Sequence, residues 1–474
     1  MPGPTPPAPR SGHSTAGQGS LTVGILLGVT LVAFESLAVV TVAPRLAEEL
    51  GGVGLYGWVF SGFLLASLLG TVVAGRLADT GPLARPLALG LAAFGLGLAV
   101  SGSAPTMPLV IAGRVLQGLG GGGLSTVMLT AITRAYPDDQ RARMMALTSS
   151  AWVVPALLGP TVAGLVAEVL HWRVVFWGIV PLLVLVAAMT VGRFRHLTPP
   201  AAATPQRGTL AAALPLALGT GLFLAGVGDD SPWLALALAL PGVAAAAYGL
   251  RALLPAGVTR LGRGLPAVVA ARGLFFAAMV GVEAFLALML TAVHGYSSTV
   301  TGLVIATGSI SWAVGSWLQS RLDQRSTATR HPRLRLGTAV LLVGLGMQLA
   351  ALYAPWPPLP LVLAAWVVAG LGIGAAHATA SVVAFALAPA GQEGRMSAAL
   401  TIADQWTSAI SSGVGGALLA LGARLAWGQQ DAIALAMGFA VALGVLACVA
   451  SWRARPAAGS AERQVVGQVG EGRA

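Results

Sequence analysis

Residues 108–120 read PLVIAGRVLQGLG, and a related run, PLVLAAWVVAGLG, returns at residues 360–372. Both runs open on Pro-Leu-Val and close on Gly-Leu-Gly at the same spacing. Two shorter pairs recur in the same order: Arg143-Met144 as Arg395-Met396, and Arg76-Leu77 as Arg321-Leu322. The shared order of these matches indicates an internal repeat rather than chance likeness between Ala- and Gly-rich runs. The sequence therefore predicts two halves of similar structure in the same orientation.

The composition of the chain excludes most soluble classes. Of its 474 residues 56% are hydrophobic and 9% are charged, and the mean hydropathy is +0.81. An ordinary soluble domain carries about a quarter charged residues. The net charge is +11 and every one of the 27 basic residues is Arg. These arginines are dispersed in short gaps between apolar runs, which indicates membrane orientation rather than nucleic-acid binding.

The apolar runs predict fourteen membrane-spanning helices, since a spanning helix needs about 20 mostly apolar residues. The predicted spans are 21–44, 55–75, 86–104, 107–132, 144–167, 174–192, 209–228, 232–251, 266–293, 299–319, 336–354, 359–388, 397–421 and 431–452. The two weakest spans, 209–228 and 232–251, cross together or not at all. A single crossing would place the arginine-rich loop at 321–335 outside. Fourteen spans are favoured, and twelve is the alternative.

The arginine distribution predicts an orientation with both termini in the cytoplasm of a cell-membrane protein. With that orientation, 22 of the 27 arginines fall in inside gaps and tails. Arg45, Arg173 and Arg424 fall outside, Arg272 lies at an inner helix end, and Arg114 lies within a span. This bias follows the positive-inside rule.

The repeat and the spans together divide the chain into five parts. The predicted parts are a disordered tail at 1–20, an N-terminal six-helix half at 21–192, a linker with two inserted helices at 193–265, a C-terminal six-helix half at 266–452 and a disordered tail at 453–474.

The loop after the second span, GRLADTGPLAR at 75–85, resembles the cytoplasmic loop signature of the major facilitator superfamily. The resemblance implies two six-helix halves around a central substrate site. It also implies that Gly75, Arg76, Asp79 and Arg85 form a cytoplasmic gate, a charge-assisted latch that steadies the outward-open state. The chain departs from the signature at Thr80, where the family usually has Arg, and its next glycine comes one residue early.

Three further motifs resemble the fourteen-helix drug:proton antiporter branch of that superfamily. Residues 114–123, RVLQGLGGGG, are similar to its second signature, and 171–181, HWRVVFWGIVP, to the start of its sixth helix. Residues 155–164, PALLGPTVAG, resemble the antiporter signature, which implies export and a hinge at Pro155, Gly159, Pro160 and Gly164. Val174 and Ile179 depart from the usual Trp and Asn of that sixth-helix motif.

Three carboxylates lie deep within predicted spans and are candidates for proton coupling. They are Glu35, Glu283 and Asp404. Burial and neighbouring charge tune the proton affinity of such groups, as gradient-driven transport requires. Arg114 is costly in mid-span and should have a partner in the protein interior. His377 is a further titratable candidate. Each of these residues also has a plain structural interpretation as a packing group.

Polar and aromatic positions on the same spans are candidates for lining a substrate cavity. These candidates are Gln117, Ser125, Trp152, Trp312, Trp406 and Ser408. Tryptophan faces suit aromatic or cationic molecules, although packing is the commoner role of each tryptophan alone.

The sequence thus predicts a transporter rather than an enzyme, exporting small hydrophobic or cationic organic molecules in exchange for protons. The proton gradient would be the energy source, with no cofactor, no metal and no nucleic-acid partner, and the functional unit would be a monomer. Two alternatives stay open: a proton symporter for a nutrient or metabolite, and an exporter of lipids or endogenous metabolites. A membrane receptor is disfavoured by the buried titratable groups.

Overall fold

In a computed structural model, the described residues, 15–199, 209–354, 358–389 and 392–455, are almost entirely helical. The helices are α1 (Thr15–Leu50), α2 (Tyr56–Thr80), α3 (Ala84–Ser103), α4 (Met107–Ala135), α5 (Asp138–Ser150), α6 (Val153–Val169), α7 (Trp172–Phe194), α8 (Thr209–Val227), α9 (Pro232–Leu253), α10 (Leu265–Leu288, continued by a π-helical turn at Met289–Val293), α11 (Ser298–Arg325), α12 (Arg330–Ala351), α13 (Leu359–Leu387), α14 (Glu393–Arg424) and α15 (Gln429–Arg453).

Within these ranges, fourteen segments are long and apolar enough to cross a membrane, which confirms the predicted number. We call the side of the bundle where α1 begins and α15 ends the terminal face, and the other side the opposite face. Residues 15–20, predicted as part of a disordered tail, form the first turns of α1 instead. The rest of both predicted tails, 1–14 and 456–474, lies outside the described residues.

The fifth span is two helices, which corrects the prediction of one helix over 144–167. The break falls at Ala151 and Trp152, between α5 and α6. Pro155 has no N–H, so it leaves the Ala151 carbonyl without its helical donor. The hydroxyl of Thr30 on α1 donates to that carbonyl at 3.2 Å. Pro160, the expected mid-helix kink, does not interrupt α6.

The internal repeat reappears as equivalent helix crossings in the two halves. Gly70 on α2 packs on the Leu119 backbone of α4, and Gly315 on α11 packs on the Leu371 backbone of α13. The position offsets match those of the sequence repeat. A Cβ on either glycine would overlap a backbone carbonyl, so only glycine permits these close approaches. The helices α2 and α11 are therefore counterparts, as are α4 and α13.

The helices α8 and α9 form the inserted pair between the halves. The two pack closely on each other, with Gly219 and Gly242 in mutual backbone contact. The helix α8 also packs against α2 of the first half and α14 of the second. The helix α9 is the most exposed of the fourteen spans, because only 22% of its most apolar 18-residue stretch is buried. This exposure is expected for a peripheral helix that faces lipid.

Candidate central site and its gates

The most deeply buried charges of the first half form an ion pair between α1 and α4. Arg114 donates from Nη1 to Oε1 of Glu35, and the two side chains are 3% and 0% exposed. The Arg114 Nε–H donates to the Val59 carbonyl of α2 at 3.0 Å. The second carboxylate oxygen of Glu35 is buried without a hydrogen-bond partner. The predicted mid-span arginine therefore does have an interior partner, and that partner keeps one oxygen free to take a proton.

Gln117 and Phe63 complete the surroundings of Arg114. The guanidinium donates to the Gln117 amide oxygen, and the Gln117 amide nitrogen reaches Ser101 Oγ at 3.3 Å. The Phe63 ring lies 4.3 Å from the guanidinium carbon, a cation–π contact. Gln117 is fully buried, so it supports the ion pair rather than lining open space, which differs from the predicted cavity role. These contacts give Arg114 partners that remain when Glu35 is neutral.

In the second half, the position equivalent to Arg114 is Trp366 of α13. Its indole donates to the Ile305 carbonyl of α11 at 3.4 Å, much as Arg114 donates to Val59. The surrounding packing also repeats. Ser101 donates to the Val110 carbonyl in the first half, and Gln348 donates to the equivalent Val362 carbonyl in the second half. Trp366 therefore fills the arginine's place with an uncharged donor.

Glu283 of α10 consequently has no arginine beside it. Among the described residues no hydrogen bond or ion pair reaches its carboxyl group. Four residues of α10 between positions 267 and 290 share one face and are partly exposed: Arg272, Phe276, Val280 and Glu283. The rest of this helix is almost wholly buried, so an exposed stripe at this spacing marks the wall of a central cavity.

Arg272 is the functional candidate that sequence reasoning missed. It lies in the third turn of α10 rather than at the helix end, and both its side chain and that of Asp404 on α14 are 11% exposed. Arg272 donates to both carboxylate oxygens of Asp404, at 2.8 to 3.2 Å, and to Ser381 Oγ at 2.5 Å. The signal in the sequence was its place inside an apolar run, where an arginine needs a partner.

His377 joins this second ion pair to a group of aromatic rings. Its Nε2 lies 3.6 Å from the Asp404 carboxylate. The His377 ring lies 5.6 Å from that of Trp312 and 5.7 Å from that of Phe276, and Phe276 lies 6.0 Å from Trp312. Three predicted residues, Asp404, His377 and Trp312, thus come together beside the stripe on α10.

The remaining predicted cavity residues lie apart from that group. Ser125 is exposed and donates to its own helix, and Trp152 is 45% exposed at the break between α5 and α6. Trp406 follows Asp404 by two residues and lies about 200° around α14 from it. Its indole donates to Thr220 on α8 at 2.9 Å. Ser408 is fully buried with an unpartnered hydroxyl.

The predicted gate residues at the terminal face are not latched in this structure. Asp79 forms no ion pair within 4 Å with Arg76, Arg85 or any other described residue, although the charge of Arg134 in the same half acts on it at longer range. Arg134 instead ties the end of α2 within its own half, donating to the Ala78 carbonyl at 2.9 Å. An open latch accords with a state in which the halves are separated at this face.

The antiporter motif closes the opposite face by direct backbone contact with the other half. Gly164 on α6 packs on the Ser298 backbone, and Gly302 on α11 packs on the Pro160 backbone. Gly159 lies against Phe34, and Pro155 is buried in the first turn of α6. The other seam repeats this arrangement, with Gly57 of α2 against Ser412 and Gly416 of α14. Each half therefore contributes one glycine-notched helix to each seam.

Polar contacts reinforce the same closed face. Arg45 of α1 donates to Ser298 Oγ at 2.9 Å and to the Ala167 carbonyl at 2.8 Å. Thr299 donates its hydroxyl to Glu168 at 2.7 Å. At mid-depth Gln405 of α14 donates to Ser67 of α2 at 3.1 Å, and nearer the terminal face Thr22 and Tyr136 bond within the first half. The structure is thus joined between halves at the opposite face.

Two pseudo-symmetric helical halves, charged residues buried at their centre and glycine seams between them define a membrane transporter of the alternating-access type. The chain belongs to the Major Facilitator Superfamily, whose family model matches residues 25–347.

Curated relatives at modest identity carry drug-efflux names. "Multidrug resistance protein 3" of Bacillus subtilis is 30% identical over 172 residues, which are 36% of this chain and 34% of that protein. A Mycobacterium tuberculosis protein named "Probable multidrug-efflux transporter" is 36% identical over 165 residues, 35% of each chain. The chain thus spans about a third of the length of the curated relatives it matches.

Solved structures support the fold over nearly the whole chain. A bacterial homolog of the human lysosomal transporter Spinster, inward-facing and occupied, has a TM-score of 0.67 at 15% identity. The alignment covers 93% of this chain and 97% of that one. A D-xylose–proton symporter has a TM-score of 0.64 at 16% identity, covering 93% and 98%. At such identities the likeness shows the fold alone.

Proposed function

We propose that the protein is a proton-coupled antiporter that exports small hydrophobic or cationic organic molecules across the cell membrane. Its terminal face would lie in the cytoplasm, with both termini, and the protein would work as a monomer. The names of its relatives support efflux of drug-like molecules. The observation that carries the proposal is the Glu35–Arg114 pair, a fully buried carboxylate with one oxygen on a guanidinium and the other without a partner.

Protonation of Glu35 is the chemical event on which this mechanism depends. A proton on the free Oε2 cancels the charge of the carboxylate and weakens its ion pair with Arg114. Arg114 keeps the Val59 carbonyl, the Gln117 amide oxygen and the Phe63 face, so the arginine does not need to move into lipid. The contact between α1 and α4 loosens, and that change is transmitted along α1, which also packs on α6.

The two glycine seams provide the moving contact. They hold the opposite face closed in the present arrangement, and alternating access requires them to part while the terminal face closes. Asp79, which forms no ion pair with the second half here, would then be available to latch the terminal face. The cavity stripe of α10, with Phe276 and the adjoining Trp312, supplies the apolar and aromatic surface for the substrate.

The decisive experiment uses the Glu35→Gln variant in proteoliposomes with an imposed proton gradient. We expect gradient-driven efflux of a fluorescent cationic dye to fall to the level of protein-free vesicles, because a glutamine cannot carry the proton. Glu48→Gln, an isosteric change on the exposed end of the same helix, is the control and should retain transport. Full gradient-driven transport by Glu35→Gln would overturn the proposal.

The direction of coupling is read in the same vesicles. An antiporter depletes the compartment into which the protons flow, because the substrate leaves that compartment as the protons enter it. Accumulation of the substrate together with protons would instead assign a symporter. Transport of a fluorescent phospholipid in place of the dye would assign lipid export.

A further inference from the structure

His377 of α13 is a titratable side chain at the cavity wall that the proposed transport mechanism does not use. The side chain is 25% exposed, whereas those of Glu35 and Arg114 are almost wholly buried. One turn before it, Gly374 packs on the Trp312 backbone of α11, where a Cβ would overlap the carbonyl oxygen. This close approach of α11 and α13 brings the His377 ring within 5.6 Å of the Trp312 ring. The histidine therefore lies within reach of water and solutes in the cavity.

Among the described residues, the charged groups that act on the His377 ring are Asp404 and Arg272, and they neutralise each other. The Asp404 carboxylate of α14 lies 3.6 Å from Nε2 of the ring, and Arg272 of α10 binds both of its oxygens. Arg272 also donates to Ser381 Oγ, and that hydroxyl donates to the His377 carbonyl at 2.8 Å. The ion pair is thus fixed from three helices, α10, α13 and α14. With a neutral His377 the group has no net charge, and a proton on the ring makes the group positive.

The distance between His377 and Asp404 suits a ring that gains and loses a proton. At 3.6 Å the neutral ring makes no close hydrogen bond to the carboxylate. A protonated ring is attracted to the carboxylate and gains a charge-assisted hydrogen bond by a small movement. Histidine side chains ordinarily change charge between about pH 5 and pH 8. The equivalent position of the first half is Ser125, which donates to its own helix, so the repeat does not provide this proton site in the first half.

The same ring adjoins the aromatic surface that the proposed function assigns to the substrate. The rings of Phe276, Trp312 and His377 form a triangle with sides of 5.6, 5.7 and 6.0 Å. A cation is attracted to an aromatic face when it lies within about 6 Å of the ring centre. An organic cation on Phe276 and Trp312 would therefore stand beside the imidazole. Two positive charges at such a separation, shielded from bulk water, repel each other strongly, so the site favours one of them at a time.

We propose that a proton on His377 competes with an organic cation for the aromatic surface of Phe276 and Trp312. The substrate is a cation with at least one aromatic ring, and it binds while His377 is neutral. When the imidazole takes a proton from the water of the cavity, the ring is drawn to Asp404 and its charge displaces the cation. This exchange couples the substrate to a second proton, separate from the proton at Glu35. The inference rests on the proposed function, but it concerns binding, which is measured without a gradient.

The test measures the affinity of a fluorescent cationic dye at equilibrium, at about pH 8 and about pH 5.5. The protein is purified in detergent and carries Glu35→Gln, so that position 35 does not titrate. We expect its Kd for the dye to rise about tenfold at the lower pH, because the proton and the dye compete. The double variant Glu35→Gln/His377→Gln should bind the dye equally at both pH values, with the affinity that Glu35→Gln has at the higher pH. An undiminished pH dependence in the double variant would overturn the proposal.

A matched histidine and a matched ligand sharpen the assignment. His196→Gln, in the same Glu35→Gln protein, changes an exposed histidine at the terminal face and should leave the pH dependence unchanged. An uncharged analogue with the same ring system as the dye should bind equally at both pH values, because the competition acts between charges. A loss for the analogue as large as that for the dye would overturn the competition.

Two tryptophans of α11 test the aromatic surface. Trp312 adjoins His377, whereas Trp317 is 57% exposed and stacks on Arg321. We expect Trp312→Leu to weaken dye binding about fivefold at the higher pH, and Trp317→Leu to leave it unchanged. Equal affinities in the two variants would overturn the proposed surface. Full gradient-driven transport by Glu35→Gln would overturn the proposed function instead and leave these binding results as they are, so the two failures are distinguishable.

Discussion

The two halves of the bundle share their helix crossings but differ at the residues that carry charge. In the first half, Arg114 neutralises Glu35 from α4. In the second, the equivalent place belongs to Trp366, and Glu283 stays without a cation. The buried ion pair of the second half is instead formed by Asp404 and Arg272. The residue equivalent to Asp404 in the first half is Trp152. The two halves thus share their backbone packing and differ in their ionisable groups.

The fifth span also differs between the halves at a single equivalent position. In α6 the proline at position 155 frees the Ala151 carbonyl, and the helix breaks there. The equivalent residue of α14 is Thr407, which has an N–H and whose hydroxyl also donates to the Ala403 carbonyl at 2.6 Å. The helix α14 therefore runs unbroken past the same point. The fifth span is therefore broken in the first half and continuous in the second.

The largest effect should come from removing the cation of the first half. Arg114→Met leaves Glu35 as a buried acid without its partner, which we expect to destabilise the protein by about 3–5 kcal/mol. Denaturation in detergent, followed by helix content, measures this loss. The double variant Arg114→Met/Glu35→Gln should recover most of it, because no buried charge then remains. Wild-type stability for Arg114→Met alone would show that the pair is not an interior contact.

A second effect concerns the seams that the halves share. Gly164→Val forces a side chain into the Ser298 backbone, which disfavours the closed opposite face by about 1–3 kcal/mol. We expect faster thiol labelling of a cysteine placed at Ser298 in a Cys448→Ala background. Gly178→Val is the matched control, since a Cβ there meets nothing within 4 Å. Unchanged labelling in Gly164→Val would show that the antiporter motif does not hold the opposite face closed.

A third and smaller effect tests the unpaired acid of the second half. Glu283→Gln breaks no ion pair, so we expect the stability to change by about 1 kcal/mol or less. The same denaturation assay compares it with Arg114→Met. A loss as large as that of Arg114→Met would mean that Glu283 has a partner equivalent to Arg114, and the contrast between the halves would fail.

The smallest effect concerns the break in the fifth span. Thr30→Val removes the donor to the Ala151 carbonyl, and hydrogen bonds between spanning helices average about 0.6 kcal/mol. We therefore expect a loss of about 0.6–1 kcal/mol in the same assay. Thr133→Val, an exposed threonine that bonds its own helix, should change the stability by less. Equal losses would indicate that the break does not depend on α1.

Much of the fold follows from the sequence because apolar length and arginine placement are properties of the chain itself. Fourteen spans and the repeat can be read without coordinates. The break before Pro155 could not, because it depends on a donor from α1 as well as on the proline. The sequence predicted a hinge at Pro155 and Pro160 alike, but the missing N–H of Pro160 leaves α6 intact.

The candidate site is harder to predict from the sequence, because one sequence does not show which residues of different helices contact each other. Glu35 and Arg114 were both singled out, yet nothing in their spacing shows that they meet. Arg272 was placed at a helix end because its pairing with Asp404 on another helix could not be seen in the sequence. Trp406 is close to Asp404 in the sequence, but residues two positions apart on a helix point to nearly opposite sides.

The position of α8 makes the flanks of the bundle unequal. It lies across the line where α2 meets α14, whereas in the described part of the chain no helix lies in the same way across the line where α6 meets α11. The line between α6 and α11, which runs beside Trp152 and the break in the fifth span, is therefore left uncovered by the inserted pair. The inserted pair thus makes two otherwise equivalent lines between the halves structurally different, because one is covered by α8 and the other is not.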